Sequence, residues 1–136
     1  MHAAVRLNAA CPPLAAIAEH APSCLAAAET AAAYVRTALP YRFDGQAHRI
    51  LDLPAAKARG YGACGDATAA VAAVLLMRGS VPILAYEATE TLDGYAHVRI
   101  AMGRLFVDAY PEVSFSMPPR ARIELTRESV RWPVRA

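Results

Sequence analysis

An α+β domain is the fold class the sequence predicts, and three observations predict it. The first third is alanine-rich and punctuated like helices, the stretch from Gly65 to Arg78 is apolar on nearly every face, and beyond Pro82 apolar residues alternate in short runs. Helices followed by strands, rather than interleaved with them, favour an antiparallel sheet with helices packed against it. The 136 residues are expected to form one domain, spanning 1–136 and burying roughly two-thirds of the unfolded surface. A hydrophobic share of 56% against 19% charged argues for a packed core and against disorder.

Each element has its own signal. Pro13 to His20 reads as a short helix, and Ser23 is the N-cap of a second one running to about Leu39, where Pro40 forbids continuation. Tyr41 to Gly45 reads as an exit into a turn, and residues 46 to 60 as an irregular connection. The helix from Gly65 to Arg78 carries Asp66 in its first turn, and a helix apolar all round is a buried one. Gly79 supplies its C-terminal cap and Pro82 prevents its continuation. Strands are expected at Ile83 to Thr89, Tyr95 to Ala101, Arg104 to Asp108 and near Arg122 to Thr126.

Charge and cysteine usage exclude several classes. A net charge of +2 is too small to imply nucleic-acid binding, and Glu124 and Glu128 interrupt the densest basic stretch, Arg120 to Arg135. Three cysteines, Cys11, Cys24 and Cys64, are an odd number without a CxxC pair, which suggests neither a disulfide framework nor a zinc ribbon and fits a reducing, cytoplasmic setting. Asn8, Pro12 and Pro13 break any apolar run before signal-peptide length, and no stretch approaches the ~20 apolar residues that span a bilayer. Neither nucleic acid nor membrane is expected as a partner.

The chemistry is expected around Cys64, which stands in Gly60-Tyr61-Gly62-Ala63-Cys64-Gly65-Asp66 at the start of the buried helix. Small neighbours would let a substrate carbonyl approach the sulfur. A helix N-terminus also offers free N–H groups and partial positive charge, the setting that favours thiolate and stabilises an oxyanion. A structural cysteine is the plainer reading, and open glycine backbone on both sides weakens it. Cys11 and Cys24 lack the setting and read as ordinary residues.

A hairpin supplies the rest. Apolar positions alternate in Tyr95-Ala96-His97-Val98-Arg99-Ile100 and in Leu105-Phe106-Val107-Asp108-Ala109, with Met102-Gly103 between them. A loop centred there pairs Ile100 with Leu105, Val98 with Val107 and Ala96 with Ala109, and so sets His97 directly across from Asp108. Directly opposed residues have Cβ atoms about 5 Å apart, close enough for a carboxylate to hold an imidazole. Singly, His97 reads as a solvated strand histidine and Asp108 as a turn initiator; together they are the base and orienter that a thiol nucleophile requires.

The run Gly62-Ala63-Cys64-Gly65-Asp66, the helix end Leu76-Met77-Arg78-Gly79, and Ala96-His97-Val98 with Phe106-Val107-Asp108-Ala109-Tyr110-Pro111-Glu112 resemble the transglutaminase-like superfamily. Tyr34-Val35-Arg36 leading into Pro40-Tyr41 is similar to its bacterial members, so the resemblance covers residues 30 to 112. It implies a papain-like α+β fold with Cys64 as nucleophile, His97 as base and Asp108 as orienter. The family's extra oxyanion donor has no counterpart near Cys64, because the sole tryptophan is Trp132; Gln46 or Tyr61 would substitute. The flanking domains of the large calcium-dependent enzymes are not expected, and no acidic cluster in the sequence suits calcium.

The expected activity is cysteine-dependent acyl transfer to water or an amine through a thioester, on a peptide or protein substrate, with hydrolysis favoured because a compact domain offers little surface for a second protein. A non-catalytic peptide- or protein-binding module on the same fold is the competing class. No cofactor is expected, and a metal site is disfavoured because one cysteine, one histidine and one carboxylate leave a fourth ligand unassigned.

Overall fold

The computed structural model describes residues 1–42, 49–88, 96–114 and 121–133. Among them are five α-helices, α1 (His2–Leu7), α2 (Pro12–His20), α3 (Cys24–Ala38), α4 (Leu53–Arg59) and α5 (Cys64–Met77). Four strands follow, β1 (Ile83–Ala88), β2 (Ala96–Met102), β3 (Leu105–Val107) and β4 (Ala121–Glu124), in a sheet of order β3-β2-β1-β4 with every pairing antiparallel. The chain is therefore α+β, helices first and sheet second. No helix among the described residues is long and apolar enough to cross a membrane.

Helix α5 is the axis of the core. Every residue from Gly65 to Leu76 is buried, as a helix without a polar face requires. It contacts α1, α2 and α3 as well as β2. The facing stripe of α3 is Ala27, Ala28, Ala31, Ala32 and Val35, all buried, and such small side chains let two backbones approach closely. On the sheet, Leu84, Val98, Ile100 and Val107 join the same core.

The caps follow the sequence at both long helices. Ser23 Oγ accepts the Ala26 N–H at 3.0 Å, and α3 ends before Pro40. At the far end of α5 the Gly79 N–H bonds to Leu76 O and the Ser80 N–H to Leu75 O, with Gly79 at φ +78°. This is the Schellman arrangement that a glycine just past the helix permits.

The expectation of an irregular connection over 46–60 is corrected by α4. Its signals were present but short: proline in the first turn and a left-handed Gly60 (φ +96°) at the end. The first N–H of α4, on Leu53, is satisfied from afar by buried Asn8 Oδ1 at 2.7 Å. Residues 43–48, the end of the expected turn exit and the start of that connection, lie outside the described residues.

The hairpin register is corrected as well. Ile100 pairs with Val107, Ala101 with Phe106 and Met102 with Leu105, a displacement of two residues from the expected pairing. The loop is Gly103-Arg104, not Met102-Gly103. Gly103 takes φ +61° and no other residue of that loop is left-handed, the geometry of a tight primed turn with glycine first. Glycine's tolerance of positive φ thus overrode the centring by hydrophobic pattern. A shift of two keeps every side chain on its original face, so the consequence for the site is one of reach, not of side.

Candidate active site

Three segments converge at the start of α5. Cys64 is its first residue and is partly exposed. Four positions later the Thr68 hydroxyl donates to the Val98 carbonyl at 3.1 Å, which ties this helix face to β2 beside His97. His97 is fully buried. Its Nε2–H donates to Asp108 Oδ2 at 2.5 Å.

Asp108 lies one residue beyond β3 and does not stand directly across from His97. It reaches the ring diagonally, and its other oxygen, Oδ1, accepts the Tyr110 N–H at 3.0 Å. The carboxylate is thus aimed by its own turn. Arg36 of α3 holds that turn, donating to the Ala109 carbonyl at 2.8 Å and pairing with Glu112 at 2.8 Å.

With Nε2 committed to Asp108, Nδ1 is the ring nitrogen left for the thiol; it is buried and makes no hydrogen bond of ordinary geometry. The Cys64 side chain nevertheless acts on the imidazole. Burial disfavours the charged ring, but the hydrogen bond to Asp108, the nearby Cys64 side chain and the charges of both outweigh it, and the pKa of His97 is pushed up to about 9. The folded environment therefore favours the protonated ring.

The cysteine turn is fixed by a buried carboxylate. Asp66 accepts the Ala63 N–H at 2.9 Å and the Leu51 N–H at 2.8 Å, and pairs with Arg59 at 2.6 Å, its side chain 1% exposed. A carboxylate reaching back to the N-cap N–H is one half of a capping box. Sequence reasoning put Asp66 in the first turn without a task; its offset of three from Ala63 was the available signal.

The glycines flanking Cys64 do not leave open backbone. A Cβ on Gly62 would lie 2.7 Å from Leu39 Cδ1 and 3.0 Å from Tyr110 Oη, and one on Gly65 would lie 2.7 Å from Ile50 Cγ1. They are small because neighbours press against them. The Tyr110 hydroxyl donates to Leu39 O at 2.9 Å, and burial, then the charge of Asp66, pushes its pKa up to about 12.

Cys24 departs from expectation too, because it occupies the first position of α3 just as Cys64 does in α5. Cys11 is buried. Of the two suggested oxyanion donors, Gln46 lies outside the described residues, and the ring of Tyr61 is faced by the guanidinium groups of Arg42 at 5.1 Å and Arg59 at 4.3 Å. A tyrosine not anticipated also feels the cysteine: Tyr86, opposite Val98 on β1, has its pKa raised by burial and then by the charge of Cys64.

No group of three or more His, Cys, Asp or Glu among the described residues is placed to hold a metal ion. No protein-family model, curated protein or solved structure matches the chain.

Proposed function

We propose that this chain is a cysteine-dependent acyl-transfer enzyme of the transglutaminase-like superfamily with a papain-like fold. The observation that carries the reading is a buried imidazole held by a carboxylate on one side and acted on by the thiol at a helix start on the other.

The attacking species is a Cys64 thiolate paired with the protonated His97 ring, whose raised pKa favours that charge. Cys64 Sγ attacks an amide or ester carbonyl, and the carbonyl π-electrons move to oxygen. First-turn N–H groups of α5, which have no intrahelical acceptor, and the Tyr86 hydroxyl stabilise that oxyanion. Collapse breaks the bond to the leaving group, which takes the His97 proton, and a thioester remains. The neutral imidazole then removes a proton from water as its oxygen attacks the thioester, and Cys64 leaves as thiolate. Asp108 holds the ring orientation throughout. Hydrolysis of a peptide or protein amide is the favoured outcome; transfer to an amine uses the same steps.

The test is brief iodoacetamide exposure of the intact protein at neutral pH with mass mapping of the three cysteines. Cys64 is expected to label at least about tenfold faster than Cys24 and Cys11, and His97→Ala to remove the advantage. Equal labelling of Cys64 and Cys24 would sink the proposal in favour of a binding module. Trapping an acyl-thioester on Cys64 with a panel of peptide and glutamine-containing substrates then assigns the acyl donor.

A further inference from the structure

At the other end of α5, about 20 Å from Cys64 at 1.5 Å per residue, lies an open groove of about 1180 Å³ between the first two helices and the C-terminal turn. Its walls include Arg6, Arg78 and Arg127, with Met77 and Trp132 among the apolar lining and Glu19 as the one carboxylate among the described residues. The arginines are anchored on neutral acceptors. Arg6 donates to Val130 O at 3.2 Å, Arg78 to Ala18 O at 2.6 Å and Ala21 O at 2.9 Å, and Arg127 to Leu76 O at 2.6 Å. Carbonyls orient a guanidinium without cancelling its charge, and each fork has five N–H donors. Buried Arg78 Nε lacks a hydrogen-bond partner.

The turn leading to Trp132 forms one wall of this groove. Arg131 takes a left-handed φ of 54°, uncommon for a residue with a Cβ, and the Trp132 N–H bonds back to Arg127 O at 2.8 Å. Trp132 packs partly on the core. The result is an apolar wall facing three fixed cations.

We propose that this groove binds an extended acidic segment of a partner protein, carboxylates on the guanidinium groups and an apolar side chain against Trp132. Charge complementarity selects an anion, since three arginines face a single glutamate. The volume exceeds the usual 300–1,000 Å³ of a small-molecule pocket, and the groove is open, which suits a segment of chain. A mostly apolar lining with a carboxylate in it disfavours a nucleic-acid backbone. The site stands apart from Cys64 and does not depend on the catalytic reading.

Trp132 is the sole tryptophan, so its emission reports the groove. The intact protein is titrated with a short peptide alternating glutamate and leucine, and with its glutamine counterpart. A saturable emission change is expected for the glutamate peptide, at least about tenfold tighter than for the glutamine peptide and weakening with salt. Glu19→Gln, at an exposed position, is expected to tighten binding two- to fivefold, a gain that misfolding does not produce. Arg127→Gln should weaken it. Overturning results are no saturable change, equal binding of both peptides, an unchanged Kd in Glu19→Gln, or tighter binding of inorganic phosphate or a single-stranded oligonucleotide.

Discussion

Helices α3 and α5 both begin with a cysteine, and among the described residues it is the one on α5 that is coupled to a histidine. Cys24 follows Ser23, whose hydroxyl caps the Ala26 N–H, and Cys64 follows Ala63, whose N–H is capped from within the helix by Asp66. The helix dipole and the free N–H groups are common to both. What separates them is the sheet: β2 delivers His97 to the start of α5, and the turn after β3 delivers Asp108 to His97. A helix N-terminus prepares a cysteine; the base makes it a candidate nucleophile.

The comparison breaks most sharply at the caps. Asp66→Ala is expected to cost about 3–5 kcal/mol, because it removes at once the carboxylate that pairs with the partly buried Arg59 cation and the acceptor of two backbone N–H groups. Urea unfolding measures it, and a loss below about 1 kcal/mol would show that the carboxylate does not hold the turn.

Next comes the titration that Cys24 has no counterpart for. The unfolded imidazole titrates near 6.5 and the folded His97 near 9, so the folded state binds the proton more tightly. The contribution, on the order of 3 kcal/mol, is whole below about 6.5, declines as pH rises and is gone above about 9. Unfolding of the wild type and His97→Gln at pH 6 and pH 9.5 checks it. The wild type is expected to lose more stability across that interval than the variant; parallel losses would remove the charged pair.

The smallest effect is at the other cysteine. Ser23→Ala is expected to cost about 1 kcal/mol and to leave the labelling rate of Cys64 unchanged. Slower labelling at Cys64 would mean that the two helix starts are coupled.

Much of this was legible in the chain. Ser23, Pro40 and Gly79 marked helix ends because capping is local chemistry, and α5 announced its burial by having no polar face. The strands β1 to β4 fell within a residue or two of their expected bounds, Thr89 and Tyr95 excepted, which lie outside the described residues. Less local matters were not legible. The register turned on whether Met102 or Gly103 opened the loop, a backbone preference that the alternating pattern does not encode. The use of Asn8 as a cap for α4, and the pressing of Leu39 and Ile50 on Gly62 and Gly65, join residues far apart in sequence. The His97–Asp108 pair was anticipated from a pairing that proved displaced by two, and it forms because Asp108 reaches diagonally from its own turn.

The bond from Thr68 to Val98 acts as a rivet. It sits one helical turn from the sulfur and one residue from the imidazole, so the gap between them is gauged along a handful of residues instead of the whole excursion through β1. Sliding of α5 over the sheet would strain that single joint first. The connection from Gly79 to Pro82 is thereby free to differ in length without detuning the distance that matters.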